Sequence, residues 1–192
     1  MKTDIILAGV GGQGILSIAA TLGAAALSKN LYLKQAETHG MSQRGGAVVS
    51  HLRISDSPIF SDLIPSGAAD LILAVEPMES LRYLPYLSPK GSLVTNSTKV
   101  ENIPVYPELE ETFSKLKNEV KIIKIDADQI AHEIGNPKAS NMVVLGAGSR
   151  FIQIDKEVIE KGIETIFQSK GEKIVESNIK AFRAGREYAK IN

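Results

Sequence analysis

The chain has 192 residues, 43% of them apolar and 23% charged, and its 22 basic residues balance its 22 acidic ones. That length suits one domain with a substantial core, and a neutral chain has no long-range field to draw in nucleic acid or an anionic membrane, so neither is expected as a partner. With no cysteine, the chain can form no disulfide, thiolate zinc site, cysteine nucleophile or cysteine-ligated iron–sulfur cluster.

In chain order, Ile5 to Ala8 is a continuous apolar run, the pattern of a strand buried on both faces. It leads into glycines rather than a small-residue cleavage site, and no stretch long enough for a membrane span is free of charges or glycines. A cytoplasmic location is expected. A small-residue helix follows from about Gln13 to Lys29, where Ala19, Ala20, Gly23, Ala24 and Ala26 would allow close approach to a sheet. Leu31 to Ala36 reads as the next strand, giving a βαβ-like opening. After a polar loop, Glu37 to Gly46, the alternation across Ala47–Ile54 predicts a half-exposed strand, antiparallel or at an edge.

Asp70 to Val75 predicts a second buried strand, followed by a helix around Met78 to Tyr86 that Pro89 and Gly91 close. Ser92–Thr95 and Val120–Ile125 are further strand candidates, with the proline-marked Ile103–Pro107 a less regular one. The last third reads as helical. Asn141, Leu145, Gly148 and Ile152 share one helical face; Ile159, Ile163 and Ile166 share the next; Val175, Ile179, Phe182, Gly185 and Ala189 share the last. The expected architecture is one α/β domain over residues 1–192: a three-layer Rossmann-like fold with a mostly parallel sheet and a helical C-terminal third.

Gly9-Val10-Gly11-Gly12-Gln13-Gly14 matches G-x-G-x-x-G where the motif is meaningful, after a strand and opening a helix. Missing β-carbons permit a tight turn and let backbone N–H groups reach an anion at a helix N-terminus. Glu37, 23 residues beyond Gly14, stands where an acid could hold a ribose hydroxyl. A stand-alone NAD(P)- or flavin-binding protein is therefore one reading. Tight strand-to-helix turns also want glycine with no ligand present. Gly12 and Gln13 suit a surface that meets another chain or a non-nucleotide group.

Thr38-His39-Gly40-Met41-Ser42-Gln43-Arg44-Gly45-Gly46 is the most unusual stretch. It gathers an imidazole, a hydroxyl, an amide and a guanidinium on a glycine-loosened backbone, after the second strand. Arg44 could fork onto a carboxylate or phosphate, and Gly45 and Gly46 permit positive φ or close approach. The plainer reading is a surface turn with polar punctuation. His39 has no carboxylate partner in the sequence pattern and reads as a hydrogen-bonding residue before a catalytic one. His51 reads as solvated, and His132 as a capping or surface residue near Gly135. The three histidines lack metal-ligand spacing. Asn141 reads first as a helix N-cap or first-turn residue, with a ligand role as the alternative.

Taken together, Gly9–Gly14, Glu37–Gly46 and Asn141-Met142-Val143-Val144-Leu145-Gly146-Ala147 closely resemble the gamma-type subunit or domain of pyruvate and related 2-oxoacid:ferredoxin oxidoreductases. The variant is most similar to the beta subunit of indolepyruvate ferredoxin oxidoreductase, and the resemblance runs from Ile5 to the final helix. It implies oxidative decarboxylation of a 2-oxoacid to an acyl-CoA, with electrons passed to ferredoxin. Thiamine diphosphate, magnesium and the iron–sulfur clusters are then expected on a larger alpha-type partner. This chain holds no cysteine and no Gly-Asp-Gly leading to a downstream Asn, so it would support catalysis without performing it alone. No catalytic residue is assigned. Gly9, Gly11, Gly12, Gln13, Gly14, Thr38, His39, Gly40, Ser42, Gln43, Arg44, Gly45, Gly46 and Asn141 would form an edge that meets CoA or the partner. A purely scaffolding role and a homodimer of the isolated chain remain open.

Overall fold

A computed structural model describes residues 1–39, 45–101 and 103–191. The first strand, β1 (Lys2–Val10), is buried along all but its first residue, as its apolar run demands. It is followed by α1 (Ile15–Ser28), β2 (Tyr32–His39), β3 (Ala47–Ser55), β4 (Ala69–Ala74), α2 (Pro77–Arg82) and β5 (Leu87–Asn96). The remainder is α3 (Glu110–Leu116), β6 (Lys121–Ile125), α4 (Ala127–Glu133), α5 (Ser140–Gly148), α6 (Lys156–Phe167) and α7 (Glu172–Ile191).

The sheet order is β2-β3-β1-β4-β5-β6. Strands β1, β4, β5 and β6 pair in parallel, while β3 runs antiparallel to both β1 and β2. The chain leaves β1 toward one side of the sheet and β4 toward the other, so the topological switch lies between their carboxyl ends. Alternate residues of the central strands face two cores. Ile5, Leu7, Leu71 and Leu73 pack under α1 and α4 to α7; Ile6, Ala8, Ile72 and Ala74 pack with Ile64, Leu109 and Phe113 on the α2–α3 side. The expected α/β fold with a helical C-terminal third is the one found.

Several local expectations are corrected. The opening is not a simple βαβ unit, because β3 is wedged between β1 and β2. Glu37, Thr38 and His39 extend β2 rather than belonging to the loop. Strand β3 is antiparallel, as read, but it is neither half-exposed nor an edge: the edge is β2, and seven of the nine β3 residues are buried. Its second face is covered by Ile64 and Tyr86. His51 is therefore not solvated: it is 8% exposed, its Nδ1 accepts the Ile64 N–H at 3.1 Å, and it meets Tyr86 edge-on at 5.2 Å.

Pro89 and Gly91 do not close a helix. They lie inside β5, where the pairing with β4 shifts register between Ala69 and Leu71, and strand proline and glycine belong at such irregularities. Residues 103–107 form no strand. Ile152 falls beyond α5, after a short 3₁₀ turn.

Helix α5 is the axis of the larger helical layer, with Asn141 to Gly148 all buried. Its contact with α7 is a backbone-to-backbone approach. A β-carbon on Gly146 would lie 1.9 Å from the Phe182 carbonyl oxygen, and one on Gly185 would lie 1.9 Å from that of Val143. The small residues of α1 serve a similar approach by α6, since a β-carbon on Gly162 would meet the Thr21 carbonyl oxygen at 2.5 Å.

Candidate functional site

The glycine motif ends β1 and turns the chain into α1. A β-carbon on Gly9 would lie 2.4 Å from Val75 Cγ2, so this position needs glycine for packing alone. Gly12 and Gly14 take positive φ, 103° and 80°, where a side chain would be strained. The side chain of Gln13 folds back into the turn. Its Oε1 accepts the Val10 N–H at 2.8 Å, and its Nε2 donates to the Val75 carbonyl at 3.1 Å. Gln13 thus bridges the carboxyl ends of β1 and β4 and occupies the switch crevice where nucleotides bind in many open α/β sheets. Glu37 is poorly placed for a ribose. It pairs with Ser50, which pairs with Leu7, so it lies two strands (roughly 10 Å) from β1 and short of its carboxyl end.

The two singled-out loops meet. The Gly11 N–H donates to the Gly46 carbonyl at 2.9 Å, and the Gly45 N–H reaches the Gly11 carbonyl at 3.5 Å. Gly45 also takes positive φ, 80°. The backbone of His39 pairs with Val48, which lies opposite Gly9. Gly40, Met41, Ser42, Gln43 and Arg44 lie outside the described residues. Asn141 joins the same edge from the core: its Nδ2 donates to the Gly14 carbonyl at 3.0 Å and its Oδ1 accepts the Met142 N–H at 2.9 Å. It is a first-turn residue and not the N-cap, a position held by Ala139.

Along the same carboxyl edge runs a buried polar network that the sequence reading missed. Asn96 Oδ1 accepts the N–H groups of Ser97 and Ala127, and its Nδ2 donates to Asp128 at 2.8 Å. Glu76, fully buried, caps α2 by accepting the Glu79 N–H at 2.8 Å and takes the Tyr106 hydroxyl on its other oxygen. Tyr106 in turn accepts the Met78 N–H at 3.2 Å. Burial, and then the hydrogen bond to the Glu76 carboxylate, raise the Tyr106 phenol well above its ordinary range; burial likewise raises the Glu79 carboxyl. The Glu76-Pro77 pair after a buried strand, an acid ahead of an N1 proline, was the available signal for a capped helix start.

Comparison with known proteins places this geometry. The family model for pyruvate ferredoxin/flavodoxin oxidoreductase matches residues 4–188. An indolepyruvate oxidoreductase subunit IorB from Pyrococcus horikoshii is 38% identical over 97% of this chain and 96% of its own length. The IorB subunit of Archaeoglobus fulgidus is 37% identical over 98% and 96%. Among solved structures, the gamma subunit of a keto/oxoacid ferredoxin oxidoreductase from Geobacter sulfurreducens superposes with a TM-score of 0.73 at 25% identity, covering 99% of both chains. With a family match spanning nearly every residue and relatives of the same length, the chain belongs to the pyruvate ferredoxin/flavodoxin oxidoreductase family.

Proposed function

We propose that this chain is the small subunit of an indolepyruvate-type 2-oxoacid:ferredoxin oxidoreductase. In that complex a larger alpha-type subunit would hold thiamine diphosphate, magnesium and the iron–sulfur clusters. The reaction is oxidative decarboxylation: the oxoacid loses carbon dioxide, its acyl group passes to CoA, and two electrons pass to ferredoxin. Thiamine diphosphate, when bound by the partner, supplies the carbanion stabilisation. The small chain supplies an edge that completes the active-site entrance.

The observation that carries this reading is the backbone pairing of Gly11 with Gly45 and Gly46. It brings Gly45 and Gly46, the end of the second stretch singled out in the sequence, against the glycine turn at the carboxyl end of β1, which supports reading the two as parts of one edge. The residues proposed for this edge are Gly9, Gly11, Gly12, Gln13, Gly14, Thr38, His39, Gly40, Ser42, Gln43, Arg44, Gly45, Gly46 and Asn141. Gln13 in the switch crevice weighs against a stand-alone dinucleotide-binding protein. From the sequence, Arg44 would pair with a phosphate of CoA or a carboxylate of the partner.

The test is co-expression with a thiamine- and cluster-bearing alpha-type subunit from the same source, purified through a tag on this chain. A brown complex that reduces ferredoxin or a viologen dye with indolepyruvate and CoA supports the reading. A colourless, solitary chain with no such activity overturns it. Arg44→Ala should weaken CoA dependence or assembly; unchanged kinetics together with unchanged association would remove that role.

A further inference from the structure

Helix α1 carries no charged residue, yet one flank of it is bare: Leu16 is 44% exposed, Leu27 62%, and the exposed Ala20 lies between them. These three fall at helical spacing on a single stripe. The opposite flank is closed by α6, through Thr21 and Ala25 against Gly162. Gly23 borders the stripe, and a β-carbon there would meet Leu33 of β2 at 3.2 Å, so the stripe is turned toward β2. An apolar stripe open to water asks for a cover.

Beside the stripe lies an open sheet edge. Among the described residues β2 is the outer strand, and it pairs with β3 residue for residue from Tyr32 to His39. Natural edges are kept from pairing by prolines, bulges, lysines or brevity. This one is eight residues long, has no proline and no bulge, and carries one lysine, Lys34. The direction of its backbone groups follows from the far side of β3. The Asp56 N–H donates to the Met1 carbonyl at 3.1 Å, so even-numbered residues of β3 bond to β1 and odd-numbered ones to β2. Through the register, Tyr32, Lys34, Ala36 and Thr38 bond to β3, and the N–H and C=O groups of Leu33 and Gln35 point outward.

We propose that this edge binds β2 of a second copy of the chain, antiparallel about a two-fold axis at Ala36. The two sheets become one, with both α1 stripes on the same face of it, turned toward the axis. The strand's own sequence selects this occupant. Centred on Lys34 or Glu37, the pairing would oppose like charges; centred on Gln35, it would set Leu33 against the Glu37 carboxylate. Centred on Ala36, it sets Lys34 opposite Thr38 and Gln35 opposite Glu37 of the second copy. The Gln35 amide already donates to the Glu37 carboxylate at 3.3 Å within one chain, and the same bond can form across the axis from both sides. Ala36 falls at a non-hydrogen-bonded position, where two strands come nearest and a small side chain fits. The inference goes beyond the subunit reading and holds whichever oxoacid the complex oxidises.

The chain has no cysteine, so an introduced thiol reports on its own position alone. For the full chain purified by itself, light scattering should give twice the 20.7 kDa monomer mass at micromolar concentration. Ala36→Cys should then oxidise to a covalent dimer, while Phe60→Cys, at a loop residue 94% exposed, should stay largely monomeric on the same gel. Gln35→Pro removes an outward donor without touching the bonds between β2 and β3, and should halve the measured mass with the melting transition retained. Leu27→Lys on the stripe should lower the mass without altering β2. A chain of monomer mass, a cross-link no faster for Ala36→Cys than for Phe60→Cys, or a dimer indifferent to Gln35→Pro and Leu27→Lys would overturn the proposal. So would loss of the cross-link in the complex, with the new thiol shielded there from alkylation, since the edge would then belong to the larger subunit.

Discussion

The Asn141 side chain donates to the carbonyl of Gly14 across 127 residues of sequence, fastening the glycine turn to the central helix of the larger layer. The same side chain accepts the Met142 N–H, so both ends of a nearly buried amide are satisfied. Asn141→Ala should therefore cost about 1–3 kcal/mol, the penalty of leaving buried partners unmade. Asn141→Asp keeps the acceptor but turns an oxygen toward the Gly14 carbonyl and should do no better. Chemical denaturation of both variants gives the answer, and stability within error of wild type would show the tether to be idle.

Tyr106 holds the Glu76 carboxylate with its hydroxyl and receives the Met78 N–H on the same oxygen. Tyr106→Phe deletes both bonds while keeping the ring. We expect a loss of about 1–3 kcal/mol, with the start of α2 the first region to gain amide exchange. Uniform exchange along the chain would argue against a local role.

The α5–α7 contact leaves no room for a single methyl group. Gly146→Ala or Gly185→Ala would drive a β-carbon onto a carbonyl oxygen of the facing helix. Overpacking of this kind costs about 1–3 kcal/mol or more, and here rigid backbone must move instead of a side chain. Melting temperatures should fall for each variant, and soluble, unshifted proteins would refute the tight crossing.

His51 gives a pH dependence of known sign. Burial, with a smaller push from Arg53, lowers its pKa against the opposing pull of Asp62. Lowered means that below about pH 6.5 the unfolded chain takes up a proton that the folded imidazole resists. The His51 contribution is complete above that pH and is lost as pH falls toward the folded value. Glu79, raised by burial, works in the opposite sense, so the measurement is the difference between wild type and His51→Gln. Wild type should lose stability relative to the variant on acidification from pH 7 to 5. A constant difference across that range would show that the imidazole does not titrate differently on folding.

What the sequence disclosed was mainly what depends on periodicity. The uninterrupted run Ile5–Ala8 and the 3.6-residue spacings of the last helices fix their neighbourhoods almost unaided, because burial on two faces or on one stripe leaves a direct signature. Pairing order is not local. Nothing in Leu31–Ala36 or Ala47–Ile54 states that the second of these strands, not the first, lies beside β1. His51 misled for a related reason: alternation suggested an open face, but Ile64 and Tyr86 arrive from distant segments to cover it. The glycine turn was legible as a turn and as an edge. That Gln13 would occupy the crevice itself depends on Val75, 62 residues later, and no spacing rule reaches that far. Beyond the Glu76-Pro77 helix start, the partners that Glu76 and Asn96 take from distant segments left no local signal, for the same reason.

Because α5 is apolar on every side, it has no face to offer water while it waits for α7. During synthesis this segment leaves the ribosome before α7 does, and the side that α7 covers stays bare until α7 arrives. A product shortened within α7 would thus present that bare apolar side to chaperones and proteases.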